Sequence, residues 1–311
     1  MDRKTQSISK SLHKPLLGIL TVKDQTRYFR GNEENFIDLI KMGEELGVDV
    51  YVVTAQELNL NESIIPGYRY DQKKKSWSRK LVPLPAVLYN RIPSREDELD
   101  EIVSRKIREC MRHPYIHLFN PYYFNKWTLF SWLKRSKMTE KFIPATRKLT
   151  PKLNLANFIK KYPIVYLKPE SGKAGKGIMR VQRMQAKKYR YLLTIQEYKK
   201  TQRFPFRRIA ALRTKIEHYA EHEPYIVQQG IQLTAFKNRP YDLRVLVQKN
   251  RNGKWVLTGI GARIAGEKSI TTHVPRGGRI DDPKKVLTSS FGNAASKKIL
   301  TRLKKSALTI A

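Results

Sequence analysis

Hydrophobic and polar positions write out the first third of this chain as alternating strands and helices. Residues 16–22 are a continuous apolar run that predicts a buried strand, and residues 48–53 predict another. Between them Phe36, Ile37, Leu39, Ile40 and Leu46 recur at helical spacing, and Gly47 supplies a stop, so residues 32–46 read as an amphipathic helix. Strand, helix and strand with short joins predict a parallel βαβ unit. Residues 63–84 break the pattern, with Tyr68, Tyr70, a lysine run at 73–75 and Trp77 predicting an exposed, inserted hairpin. A strand returns at 86–92. Ser94, followed by acids at 96–98, predicts a helix to about residue 112, and residues 116–119 predict the next strand.

Asn120-Pro121 marks a boundary. Beyond it the pattern predicts helices over 125–135, 155–161 and 206–218, and strands over 164–167, 178–181, 189–198, 225–228 and 242–249. Asn252-Gly253 predicts a type I′ turn into a strand over 255–264.

The stretch with chemistry in it is 162–180. Strand 164–167 hands Lys168 to its end, and Gly172, Lys173, Gly175, Lys176 and Gly177 follow before the next strand. Glycines let backbone amides turn toward an anion at close range, and the lysines add point charge. A Walker A loop is excluded because Gly177 is followed by Ile178 and Met179 rather than Lys and Ser/Thr. A dinucleotide fingerprint is excluded because Arg180 stands where the third glycine belongs. A basic hairpin turn in a very basic protein fits the loop equally well.

Composition narrows the partners. The 311 residues suggest about two domains. With 62 basic against 27 acidic residues the formal charge is +35, which favours anionic partners: nucleotides, nucleic acid or anionic polymer. One cysteine, Cys110, forbids an internal disulfide and reads as a packed thiol suited to a reducing interior. No apolar run approaches the ~18 residues of a membrane span, and no signal-type segment follows the basic start, so a cytoplasmic product is expected. No recognised nucleic-acid-binding motif accompanies the charge.

Several stretches together resemble the ATP-grasp fold, in particular the YheC/YheD endospore coat-associated proteins. They are Ile116-His-Leu-Phe-Asn-Pro, Asn125-Lys-Trp, Ile143-Pro-Ala-Thr, Val165-Tyr-Leu-Lys-Pro with its glycine loop, Tyr225-Ile-Val-Gln-Gln-Gly-Ile, Arg239-Pro-Tyr-Asp-Leu-Arg-Val, Ala262-Arg263 and Arg276-Gly-Gly. The resemblance runs over about residues 15–285. It implies an α/β fold with a basic tail at 1–14, a pre-ATP-grasp α/β domain at 15–120, and an ATP-grasp domain of two α+β lobes at 121–311. It implies ATP as ligand, held by Lys126, Lys168, Gly172, Lys173, Gly175, Lys176 and Gly177 at the phosphates and by Gln228, Gln229, Gly230 and Ile231 at adenine. Arg244 and Arg263 would face the γ-phosphate, with Asp242 holding Arg244. Pairing of either arginine with Asp242 or Glu267 is the structural alternative. His273 stands where relatives carry Asn and reads as a surface-loop residue.

The reaction the resemblance implies is ligation of a carboxylate to an amine or similar nucleophile through an acyl-phosphate, with both substrates unknown. Mg²⁺ is expected for the family, yet its ligands are not found: no Asp or Glu follows Asp282, and residues 283–311 carry six lysines and one arginine. The ATP-grasp domain is therefore expected to be incomplete at its C-terminus and poor in turnover. The competing reading is a non-catalytic spore coat component whose basic surface binds anionic polymer or coat proteins.

Overall fold

The computed structural model of this protein describes residues 14–311, apart from 173–174, 186–187, 198–199 and 268. The chain divides into two compact units, up to Tyr123 and from Phe124 onward.

In the first unit β1 (Leu16–Thr21), α1 (Glu33–Glu45) and β2 (Asp49–Thr54) form the expected parallel βαβ unit. The Asn32 side chain caps α1 by accepting from the Asn35 amide, and Gly47 leaves the helix at φ +71°. The hairpin of β3 (Ile64–Asp71) and β4 (Ser76–Pro83) is not an exposed insertion. It extends the sheet antiparallel to β2, burying Ile65, Tyr68 and Val82, and Arg69 grips Asp49 with two hydrogen bonds of 2.6 and 2.7 Å. After β5 (Val87–Asn90), the single helix expected from Ser94 is two, α2 (Arg95–Leu99) and α3 (Glu101–Arg112). Asp100 leaves helical geometry and caps α3 by accepting from the Val103 amide. With β6 (His117–Phe119) the strand order is β4-β3-β2-β1-β5-β6.

Both faces of the central strands are covered, which is why they read as unbroken apolar runs. Ile19, Val50 and Val52 pack with Phe36 and Ile40 of α1. Leu20, Tyr51, Val53 and Leu88 pack with Val103, Ile107 and Cys110 of α3. Burial pushes the Cys110 thiol up to about 11, so it is an inert packing residue.

The second unit opens with α4 (Lys126–Lys134), β7 (Thr146–Lys148), α5 (Leu155–Lys161), β8 (Ile164–Pro169), β9 (Met179–Arg183), β10 (Tyr191–Glu197), β11 (Lys200–Phe206), α6 (Ile209–Ala220) and β12 (Tyr225–Gln229). These strands make an antiparallel sheet in the order β11-β10-β9-β8-β12-β7. One face packs Val165, Leu167, Val181, Leu193 and Val227 on Leu155, Ile159, Leu212 and Ile216 of α5 and α6. The opposite face carries Tyr166, Lys168, Arg180, Thr194, Gln196 and Gln228, because strand side chains alternate. Phe206, expected to start a helix, ends β11 instead.

The second sheet of this unit is β13 (Ala235–Phe236), β14 (Arg239–Lys249), β15 (Trp255–Ile264) and β16 (Arg279–Asp281), with α7 (Pro283–Phe291) and α8 (Asn293–Ile310) packed on Tyr241, Ala262 and Ile264 through Val286, Leu287, Ile299 and Leu300. The β14–β15 turn is not type I′, which needs positive φ at both Asn252 and Gly253; only Gly253 has it, at +69°. Asn250 organises that turn, its side chain accepting from the amides of Asn252 and Lys254. Positive φ at two successive residues occurs instead at Lys237-Asn238, between β13 and β14. Asp282 caps α7 by accepting from the Lys285 amide, with Pro283 at the first helical position.

Candidate functional site

A cavity of about 230 Å³ in the second unit gathers Lys168, Gln228, Asp242, Arg263 and His273. Lys168 arrives from β8, with Tyr166 two residues earlier on the same face. Its ammonium donates to Gln228 Oε1 at 2.7 Å and lies 5.6 Å from the Tyr166 ring centroid. Gln228, 4% exposed, completes the link by donating to Thr146 Oγ1 at 2.9 Å. Burial, with the neighbouring Lys126 charge adding to it, pulls the Lys168 pKa down to about 8. A part-buried ammonium held by a neutral amide is short of negative charge.

Lys126 does not line this cavity. Its ammonium donates to the Pro169 and Gly172 carbonyls at 2.8 and 2.5 Å, pinning the start of the glycine loop. Gly172 lies against Pro169, and Lys176 is exposed; Lys173 lies outside the described residues. Gly175 and Gly177 have φ of +76° and +69°. A Cβ at 175 would stand 3.2 Å from His273 Nδ1, so the loop rests directly on that imidazole. At 177 a Cβ would meet the Tyr225 hydroxyl at 2.8 Å and Pro169 Cγ at 2.9 Å, while that hydroxyl donates to the Gly177 carbonyl. Gly177→Ala is expected to cost about 1–3 kcal/mol from left-handed strain and this crowding, read as a lower urea midpoint at unchanged m-value.

The expected adenine-reading segment is already partly engaged. The Gln229 amide donates to the Ala145 carbonyl and the Gly230 amide to the Ile164 carbonyl, both at 2.8 Å. Ile231, 53% exposed, lines the cavity as an apolar contact.

On the opposite wall Asp242 of β14 faces Arg263 of β15 in register. Arg263 donates to both Asp242 oxygens at 2.8 and 2.6 Å, and Thr272 Oγ1 donates to the same carboxylate at 2.9 Å. Asp242 therefore holds Arg263, not Arg244. Arg244 is on the same face, opposite Gly261, but is exposed and does not line the cavity.

His273 corrects the reading of a surface-loop residue. Its Nδ1 is buried without a hydrogen-bond partner among the described residues, and the ring lines the cavity. Residues 269–273 are fastened there: Tyr166 donates its hydroxyl to the Ile270 carbonyl at 3.3 Å, and the Ile270 amide donates to Gln196 Oε1 at 3.1 Å. Burial first, then the charges of Arg263, Lys168 and Arg244, push the His273 pKa below its ordinary 6.5, against the opposing pull of Asp242. The folded protein thus binds fewer protons here than the unfolded chain. This contribution to stability is present above pH 6.5 and is lost as pH falls through the lowered value. His273→Asn should flatten that acid limb of a stability–pH curve, measured by urea unfolding at stepped pH.

An anion suits this arrangement: Lys168 lacks a carboxylate, Arg263 adds charge, and His273 Nδ1 is open. A Mg²⁺ clamp does not suit it. Among the described residues no three His, Cys, Asp or Glu side chains gather, and both Asp242 oxygens are engaged by Arg263. Asp281 is engaged by Lys285, with Arg279 nearby. Sequence reasoning missed Tyr166, Thr146 and Thr272. Tyr166 was open to discovery, since residues two apart on a strand share a face.

A model of the YheC/D-like ATP-grasp family matches residues 115–311. The chain is 30% identical over 303 residues to endospore coat-associated protein YheD of Bacillus subtilis (strain 168), covering 95% of this chain and 64% of that protein. It is 20% identical over 226 residues to endospore coat-associated protein YheC of the same organism, covering 73% of this chain and 61% of that one. The chain therefore spans less than two thirds of the length of these curated relatives. Among solved structures, D-alanyl-alanine synthetase A from Vibrio cholerae aligns with a TM-score of 0.47 and 14% identity, over 96% of this chain and 81% of that one. With more than half of its residues matched by the family model, this chain belongs to the YheC/D-like ATP-grasp family.

Proposed function

We propose that the second unit binds ATP in the cavity around Lys168 and that the protein serves an ATP-dependent, ligase-like reaction on a carboxylate. The observation that carries this reading is the part-buried Lys168 ammonium, held by a neutral amide in a cavity that Arg263 and the unpartnered His273 Nδ1 also line. Buried charge without an opposite charge is unfavourable in the free protein and favourable once a phosphate arrives. When bound, ATP supplies the phosphoryl group that activates a carboxylate for ligation.

In this reading Lys168 contacts phosphate, while Lys126 secures the loop of Gly172, Gly175, Lys176 and Gly177 that covers it. Gln228 holds Lys168 in place. The exposed edge at Gln229–Ile231 accommodates adenine, with the amides of Gln229 and Gly230 already committed elsewhere. Arg263, oriented by Asp242, meets the terminal phosphate, and Arg244 adds long-range charge. Residues 15–120 are the pre-ATP-grasp domain and residues 121–311 the ATP-grasp domain.

Titration with a non-hydrolysable ATP analogue tests the binding step. Saturable binding that raises the unfolding temperature is expected, because a ligand of the native state adds RT ln(1 + [L]/Kd) to stability. Equal stabilisation by ATP, sulfate and adenosine would remove the nucleotide from the account. The names of the curated relatives, together with the +35 charge, favour a second reading as a coat-associated protein that binds anionic polymer. That reading predicts salt-sensitive polymer binding indifferent to Lys168. Among the described residues no helix is long and apolar enough to cross a membrane.

A further inference from the structure

The first unit contains a cavity of about 600 Å³, inside the roughly 300–1,000 Å³ range of ligand sites and separate from the nucleotide residues. Its wall is loop 22–31, which folds back on itself: the Arg30 amide donates to the Val22 carbonyl at 2.9 Å, and Lys23 pairs with Phe29 in a single bridge. Asp24 stiffens the tip by accepting from the amides of Thr26 and Arg27 at 2.8 and 3.0 Å. Phe29, 3% exposed, anchors the loop edge-on to Trp77, with ring centroids 4.8 Å apart. Trp77 is braced in turn by Tyr70 at 5.2 Å, and Tyr28 by Tyr68 at 5.3 Å. These contacts place two amphipathic rings, Tyr28 and Trp77, at the cavity.

The polar lining is Gln25, Thr26 and Arg27 from the loop and Glu33 from the first turn of α1. Arg27 approaches Glu33 at 3.4 Å, so the formal charges of the lining cancel. Among the described residues the Tyr28 hydroxyl and the Trp77 indole N–H have no hydrogen-bond partner.

Charge decides what fits. On a chain of net charge +35, an anionic ligand finds more attraction almost anywhere else than in this balanced pocket. A wholly apolar ligand would strip water from Arg27, Glu33 and Gln25 without replacing it. The remaining chemistry is an uncharged molecule with an apolar C–H face and a hydroxylated edge. We propose that this pocket binds a neutral saccharide, packing a pyranose ring on Tyr28 and Trp77 and hydrogen-bonding its hydroxyls to Gln25, Arg27 and Glu33.

The test uses the full chain with methyl glucoside, methyl galactoside and N-acetylglucosamine, each as the monosaccharide and as a short neutral oligosaccharide. Saturation-transfer NMR and fluorescence titration read the binding. Expected is transfer concentrated on the C–H protons of one ring face, and affinity lowered about tenfold or more by Tyr28→Ala, as at an aromatic hot spot. Tyr28 is half-exposed, so the fold should survive, and an unchanged urea midpoint would verify that. Arg27→Ala provides the second variant, also expected to weaken binding. Tighter binding of the oligosaccharide would identify a glycan chain, and equal binding a free sugar. No transfer from any of these sugars, or binding indifferent to both substitutions, would overturn the proposal.

Discussion

Lys168→Met should raise the stability of the free protein while removing most of its affinity for ATP. A lysine pKa near 8 instead of 10.5 corresponds to roughly 3 kcal/mol stored against the buried charge. Methionine fills much of the same space without charge, though Gln228 Oε1 loses its partner, a cost of about 1–2 kcal/mol. The net gain of about 1–2 kcal/mol corresponds to a rise of roughly 2–6 °C in unfolding temperature. Loss of a charged phosphate contact should weaken ATP roughly 10–100-fold. The wild-type pH profile carries the same signature. Between about pH 8 and 10.5 the unfolded chain holds a proton at Lys168 that the folded protein has released, so stability rises with pH across that window. In Lys168→Met this rise should vanish. A variant that loses stability along with ATP binding would show that Lys168 is structural.

The two arginines should separate sharply. Arg263→Ala removes a planar guanidinium at the cavity wall and strands the Asp242 carboxylate, which keeps only the Thr272 hydroxyl. The pair is partly solvent-exposed, so the stability cost is about 1–2 kcal/mol rather than that of a fully buried pair. Affinity for ATP should fall roughly 10–100-fold, and more than affinity for ADP if Arg263 meets the terminal phosphate. Arg244→Ala, at an exposed position outside the cavity, should change affinity only a few-fold, and by less in high salt. Arg263→Lys should remain impaired, since an ammonium cannot keep both Asp242 oxygens and reach phosphate. Similar losses for Arg244→Ala and Arg263→Ala, both persisting in high salt, would mean that the whole basic face attracts nucleotide and the cavity does not select it.

How much of this was legible follows from the range of the interactions involved. Local signals carried far: Asn32 and Gly47 bound α1, and the apolar runs of β1, β2 and β8 declare burial without tertiary information. Some failures occur where a distant partner decides, and others where a single local hydrogen bond outweighs the pattern around it. The hairpin of β3 and β4 reads as exposed because its own polar residues dominate, but β2 and the Arg69–Asp49 pair draw it into the sheet. Asp100 breaks the expected helix through one local cap, outweighing the apolar spacing on either side. Asn252-Gly253 carries the type I′ residues, yet Asn250 bonds across the turn and sets another geometry.

At the site, Lys168 and the glycine loop were visible as a strand end followed by permissive backbone. The partner of Asp242 was not, because the cross-strand register that delivers Arg263 is set by pairing along the whole hairpin. His273 was the hardest to read: its loop is polar in sequence and is turned inward by Tyr166 and Gln196 of another sheet and by Asp242.

The measurement closest to the central claim is hydrogen–deuterium exchange of the full chain with and without a non-hydrolysable ATP analogue. The account predicts protection concentrated in peptides spanning 164–180, 225–233 and 269–276, largely absent in Lys168→Met. Protection confined to other segments, or an identical pattern in that variant, would contradict it.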